Sequence, residues 1–258
     1  MTTIWDSMDD IIVISLQEAT ERRVAVAEEL QRAGITNYRF LLVDRPENKN
    51  GIYGCYTSHQ RALQESKTSG YKRVCIFEDD IHFDDDLIVA HEAYNAFINA
   101  GVTWDFLMLG WLPVAASATN IPNILKVKCA TTTHAYIANE SMINLGLPDV
   151  SPDLSTGVDI TLFCSSCKPN DVNFSMFCRT KYEVYAIRPS IVHQSFDDSF
   201  IQTSTHMFFL NIFNYMFPTK RIEKHVEYMS VPAMNMTIIL ATCITLVLII
   251  TLCVVYKK

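Results

Sequence analysis

The sequence predicts an α/β fold, a Rossmann-type sheet with helices on both faces, plus one C-terminal transmembrane helix. Three observations carry that prediction. Apolar β-rich runs alternate with amphipathic stretches through the first 110 residues, and glycines stand where the helical patterns stop. From Met236 to Val255, 20 residues pass without a charge or a proline. At about 1.5 Å per residue such a run spans roughly 30 Å as a helix, the thickness of a bilayer's hydrocarbon core.

Taken in order, Ile11 to Leu16 (IIVISL) is short and β-branched, as a buried strand requires. Glu18 to Ala33 places Ala19, Val26, Ala27 and Leu30 at helical spacing and stops at Gly34. Tyr38 to Val43 reads as a second strand. Cys55 to Thr68 reads as a helix ending at Gly70, and Arg73 to Phe77 (RVCIF) as a third strand. Leu87 to Ala100 forms another helix stopped by Gly101, and Asp105 to Leu109 (DFLML) a fourth strand. This alternation predicts a parallel sheet with crossovers covering both faces. Beyond Gly110 the rhythm loosens, with short strands at Ile124 to Cys129, His134 to Ala138 and Tyr182 to Ile187, and a brief helix near Glu140 to Gly146. In such sheets ligands sit outside the carboxyl ends of the strands.

The chain divides into a domain over residues 1–202, an aromatic and basic juxtamembrane segment over 203–235, and a transmembrane helix over 236–256. His206 to Phe217 (HMFFLNIFNYMF) reads either as the domain's last core helix or as an amphipathic helix lying on the membrane. The start, MTTIWDSMDD, lacks the basic and apolar regions of a secretory signal. The expected topology is therefore a tail-anchored, single-pass membrane protein with its domain in the cytosol, a lumenal orientation remaining open. Lys220, Arg221, Lys224 and His225 before the span agree with it, whereas Lys257 and Lys258 oppose it. The sequons at Asn139, Asn173 and Asn235 matter only in the lumenal orientation.

With 21 basic and 28 acidic side chains the net charge is −7, and no basic run is present, so nucleic acid is not an expected partner. The 8 cysteines suit a reducing compartment. Cys164 and Cys167 form a CxxC, but with Cys178 and His193 they match no usual zinc spacing. There is neither GxGxxG nor a Walker A loop, which argues against dehydrogenases and P-loop NTPases, and no G-x-S-x-G elbow.

The chemistry concentrates at Glu78-Asp79-Asp80, directly after the strand RVCIF. Six of the nine residues from Glu78 to Asp86 are acidic. Like charge packed this densely is unfavourable unless a cation binds, and Mn2+ or Mg2+, held by one or two carboxylates and completed by substrate phosphates, is the natural partner. Asp84, Asp85 and Asp86 read instead as acids at the N-terminus of the following helix.

In this order the motifs resemble those of glycosyltransferase family 25, the bacterial lipopolysaccharide galactosyl- and glucosyltransferases and the collagen galactosyltransferases. IIVISLQEATERR resembles the family's opening strand, with Arg22 at the matching basic position and Asp44 at a later acid. Gly54-Cys55-Tyr56-Thr57-Ser58-His59 is similar to its GC-x-x-SH signature, FEDDI to its LEDD block, and Trp104-Asp105 with Gly110 to its WD…LG strand. Thr133-His134-Ala135-Tyr136, Val158-Asp159, and Pro189, His193, Gln194 and Ser199 resemble the closing blocks. Two positions depart from the pattern: Ser15-Leu16-Gln17 replaces Asn-Leu-basic, and Ile52 stands where an acid is frequent.

The resemblance implies a GT-A fold and an inverting hexosyltransferase that uses a UDP-sugar, galactose or glucose, with Mn2+ or Mg2+. Asp80 would ligate the metal, with Asp79 sharing it or binding donor hydroxyls and His193 a third metal ligand. Asp159 would be the general base that takes the acceptor hydroxyl's proton. Ser15, Arg22, Asp44, Ser58 and His59 would contact the donor, helix capping by Ser58 being the equal alternative. The acceptor would be a glycan, a lipid-linked sugar or a protein near the bilayer. By analogy, the anchor's position suits a large DNA virus carrying its own glycosylation enzymes. Two other readings stand beside this one: a non-catalytic membrane-anchored protein retaining the fold, and a nucleotidyltransferase. The latter would want a glycine-rich basic loop after the first strand.

Overall fold

A computed structural model describes residues 2–47, 50–152 and 182–194. The segments 203–235 and 236–256, Asp159, and the cysteines Cys164, Cys167 and Cys178 all lie outside the described residues. Among the described residues no helix is long and apolar enough to cross a membrane.

The described elements, in chain order, are β1 (Asp10–Leu16), α1 (Thr20–Arg32), β2 (Arg39–Val43), α2 (Gly51–Thr68), β3 (Arg73–Glu78), β4 (Ile81–Phe83), α3 (Ile88–Asn99), β5 (Phe106–Ala118), β6 (Ile124–Asn139), α4 (Glu140–Leu145), β7 (Val184–Ile187) and β8 (Val192–Gln194). A short 3-10 turn, Trp5–Ser7, precedes them. Six strands form one sheet in the order β2-β1-β3-β6-β5-β7, while β4 and β8 make a separate two-stranded ribbon.

The strands of the first 110 residues, β1, β2, β3 and β5, run parallel as expected, and the sheet is mixed only through β6. β1 runs parallel to β2 and β3, but β6 inserts antiparallel between β3 and β5. The predicted strands at 124–129 and 134–138 are one strand, β6, and the fourth strand continues far past Leu109 as β5. The two form a long irregular hairpin, with register shifts at Met108/Gly110 and Gly110/Leu112. A tight hairpin brings successive strands together antiparallel, whereas the earlier strands need helical crossovers and stay parallel.

Alternation along the strands builds two cores. Ile12 and Ile14 of β1, Val74 and Ile76 of β3, and Phe106 and Met108 of β5 point to one face, where Tyr56, Ala62 and Leu63 of α2 and Met142 and Ile143 of α4 cover them. Ile11, Val13, Cys75, Phe77, Leu107 and Leu109 point to the other face, under Val26 and Leu30 of α1 and Ala90, Ala93, Tyr94 and Phe97 of α3. Because β1 is covered on both faces, a continuous apolar run forms it rather than an alternating one. Trp5 closes the second core edge-on to Phe77 and Phe83.

Helix ends follow the sequence signals. Gly34 takes φ 75, and the amides of Gly34 and Ile35 return to the carbonyls of Gln31 and Leu30, so α1 stops while Ile35 is buried beneath it. α2 starts four residues before the expected Cys55, because Asn50 caps it by accepting from the amides of Ile52 and Tyr53. Of the acids before α3, Asp86 accepts from the Ile88 amide, as expected of a helix start, while Asp85 pairs with Arg32.

Candidate donor-binding site

The registers set Ser15 and Leu16, Val43 and Asp44, and Glu78 to Asp80 along one edge, the carboxyl ends of β1, β2 and β3. α2 supplies Gly51, Gly54, Cys55, Ser58 and His59 from one side, α1 supplies Arg22, and the end of β8 supplies Gln194. Together they line an open pocket of about 130 Å³. That is a fraction of the roughly 300–1,000 Å³ that whole small-molecule ligands occupy. Seven residues singled out from the sequence meet there: Ser15, Arg22, Asp44, Ser58, His59, Asp79 and Asp80.

Arg22 sits between the paired acids. Its Nη2 lies 2.6 Å from Asp79 Oδ1 and 2.7 Å from Asp80 Oδ2. Gln194 Nε2 donates to Asp80 at 3.2 Å and to Glu78 Oε2 at 3.3 Å. Burial pushes the Asp80 carboxyl up to about 7, with Glu78 and Asp79 adding repulsion against the pull of Arg22 and Gln194. Asp79 is raised as well, chiefly by burial, against the opposing Ser15 hydroxyl and Arg22. Burial acts on Glu78 too, but His59, His134 and Arg22 outweigh it and hold that carboxylate below its ordinary value.

Asp79 and Asp80 share one guanidinium and leave a buried excess of negative charge. Their oxygens are the hard donors that Mn2+ and Mg2+ select, so the side chains present fit a divalent cation. His193 stands apart from that set. It neighbours Gln194 on β8, so the two point to opposite sides of the ribbon, and its Nε2 lies 3.2 Å from Asp84 Oδ1. Among the described residues it does not line the pocket with Asp79 and Asp80.

Ser58 is not a helix cap, which corrects that alternative. α2 begins seven residues earlier, at Gly51, and the Ser58 hydroxyl donates back to the Gly54 carbonyl at 2.6 Å. His59 is fully buried, stacked on Tyr136 and bonded to its hydroxyl through Nδ1 at 2.9 Å.

Other motif residues are framework. Asp105 accepts from the Glu183 amide and the Ser141 hydroxyl, fixing the start of β5. Gly110 has no side chain because a Cβ there would meet His134 Nε2 at 2.2 Å and the Val192 carbonyl at 2.5 Å. Through that gap His134 Nε2 reaches the Val192 carbonyl at 3.1 Å, locking β6 to β8. Likewise a Cβ on Gly54 would strike Pro46 at 2.8 Å, so the glycine lets the β2–α2 loop close over the pocket.

Sequence reasoning missed three contributors. Gln194 stood within a matched block, yet nothing local revealed that a strand pairing with β4 would carry it 114 residues back to Asp80. Arg23, beside the expected Arg22, donates to Ser15 Oγ at 3.3 Å and to the carbonyls of Leu16 and Gln17, shaping the β1–α1 loop. Cys55 was legible only as part of a signature. It lines the pocket one helical turn before His59.

Residues 49–144 match the sequence model of glycosyltransferase family 25 (LPS biosynthesis protein). The match spans the GC-x-x-SH, EDD, WD…LG and THAY blocks. No curated protein sequence matches the chain. Solved structures with a partial likeness include A197 from STIV (10% identity, 72% of this chain and 85% of that one, TM-score 0.42). Another is a glycosyltransferase involved in the glycosylation of the major capsid of PBCV-1 (11% identity, 53% and 63%, TM-score 0.31). A third is apo UDP-glucose pyrophosphorylase (8% identity, 80% and 82%, TM-score 0.33). Over residues 49–144, the stretch that builds α2 and the acidic edge of the pocket, the chain is similar to glycosyltransferase family 25, and that match supports a glycosyltransferase.

Proposed function

We propose that the chain moves a hexose, galactose or glucose, from a UDP-sugar to an acceptor hydroxyl with inversion, assisted by Mn2+ or Mg2+. One observation carries the reading: the paired acids Asp79 and Asp80, clamped by Arg22, face a pocket at the carboxyl ends of β1–β3 within the family-matched architecture. Asp80 and Asp79 hold the cation, which when bound neutralises charge gathering on the departing diphosphate. Arg22 orients both carboxylates and offers its remaining N–H groups to a phosphate oxygen. Gln194 donates to both Asp80 and Glu78, and Ser15, Asp44, Ser58 and His59 shape the donor end. The acceptor oxygen attacks the anomeric carbon as the bond to the UDP oxygen breaks, and Asp159, outside the described residues, takes the acceptor's proton. An anchor over 236–256 would keep this site beside a membrane-borne glycan, lipid-linked sugar or protein.

The test is UDP release by the purified full-length chain from UDP-glucose and UDP-galactose, with and without Mn2+. The reading expects metal-dependent release, abolished by Asp80→Asn, with Asp159→Asn losing transfer while donor binding survives. Nucleotide binding without any release would favour the non-catalytic alternative.

A further inference from the structure

A second cluster sits on the α2 side of the same pocket, and its chemistry differs from that of the paired acids. Cys55 Sγ, His59 Nε2 and a carboxylate oxygen of Glu78 all lie within 4.8 Å of one another. His59 is fully buried, and its Nε2 makes no hydrogen bond among the described residues. The ring is not loose: Nδ1 is fixed by the Tyr136 hydroxyl at 2.9 Å and the imidazole stacks on the tyrosine, which aims Nε2 towards Glu78 and Cys55. Nε2 faces Glu78 Oε1 at 3.4 Å without hydrogen-bond geometry, and an orienting bond on the opposite nitrogen is the usual support of a metal-binding histidine.

The spacing suits a particular ion. Two ligands about 2.0–2.1 Å from a tetrahedral zinc lie roughly 3.3 Å apart. His59 Nε2 and Glu78 Oε1 are separated by 3.4 Å. Thiolate, imidazole and carboxylate together favour a borderline-soft cation such as zinc over the hard ions that suit Asp79 and Asp80. The two sets are also distinct in space. Glu78 turns Oε1 to His59 and Oε2 to Gln194, and the Gln194 amide stands between Glu78 and Asp80.

We propose that Cys55, His59 and Glu78 form a three-ligand zinc site whose fourth position opens into the pocket. Zn2+ displaces the Cys55 thiol proton to solvent and forms the S–Zn bond; His59 ligates as the neutral imidazole and Glu78 as the carboxylate. An ion there stands on the floor of the pocket and offers its open position to water or to an oxygen of a bound ligand. The proposed ligands are other than Asp79 and Asp80, although they line the same pocket, so the inference does not require the sugar-donor reading.

The test is Co2+ titration of the full-length chain in detergent, with Cys164 and Cys167 replaced by serine to remove the CxxC and with excess Mg2+ present. The expected result is one Co2+ bound with a thiolate-to-cobalt charge-transfer band and tetrahedral visible absorption, reversed by added Zn2+. Cys55→Ser, a near-isosteric change at a partly exposed position, abolishes the charge-transfer band. Glu78→Gln weakens binding but keeps the band, and Asp80→Asn keeps both the band and the single bound Co2+. A chain that binds no Co2+, or whose band survives Cys55→Ser, overturns the proposal.

Discussion

Replacing Asp80 by asparagine removes a charge that the fold holds at a cost. With the native carboxyl raised to about 7 and an ordinary value of 3.8, the folded state binds more protons than the unfolded chain between about pH 4 and 7. Stability therefore falls as pH rises through that window, and the whole penalty is present above it. At about 1.4 kcal/mol per pKa unit the gap is worth roughly 4 kcal/mol, an upper figure in which the attraction of Arg22 is already contained. Asparagine keeps the shape and mimics the neutral form; its amide turns its oxygen to the Gln194 donor, and Arg22 retains Asp79 at 2.6 Å. Melting of the full-length chain, followed with a chelator at pH 4.5 and pH 8, is the assay. Asp80→Asn is expected to melt several degrees above the parent at pH 8, at about 2–4 °C per kcal/mol, and close to it at pH 4.5. Added Mn2+ raises the parent and not the variant. Equal melting at pH 8, or a variant less stable there, would refute the picture of an undercompensated buried carboxylate.

Two further substitutions probe the framework by melting temperature. Gly110→Ala drives a Cβ into His134 and the Val192 carbonyl, and backbone cannot yield as a flexible side chain does; a loss of about 3 kcal/mol, or roughly 6–12 °C, is expected. A fall below 2 °C would mean that the β5–β6–β8 contact is looser than described. Asn50→Ala removes the acceptor for the Ile52 and Tyr53 amides and should cost about 1 kcal/mol, or roughly 2–4 °C; no change would show that α2 does not depend on its cap.

What the sequence disclosed follows from how local each signal is. β1, α1, β2, α2 and β3 were legible because short apolar runs, helical periodicity and stop glycines lie within a few residues of one another. Asp79 and Asp80 were legible for the same reason, as acids directly after a strand. The reversal of β6 was not, because a run such as ILKVKCATTTHAYIAN carries no mark of its pairing direction. Nor was the ribbon of β4 and β8, two three-residue strands separated by more than a hundred residues. The motif Trp104-Asp105…Gly110 signalled importance without revealing its kind; the structure makes it a scaffold. His193 and Gln194 show how fine the distinction is, since neighbours on one strand face opposite ways and only Gln194 reaches the acids.

The bond from Gln194 to Asp80 has a consequence for how the protein comes to be made. Synthesis at about 5–20 residues per second puts roughly 6–23 s between the two residues, which are 114 apart. During that interval β1, β2 and β3 are already available to pair, and the acidic edge exists without the strand that closes it. A ribosome-bound chain therefore passes through a stage with a formed sheet and an unfinished pocket, and contacts this distant in sequence are the slowest to close. The pocket is thus completed only when β8 docks on β4, rather than when the acids themselves emerge.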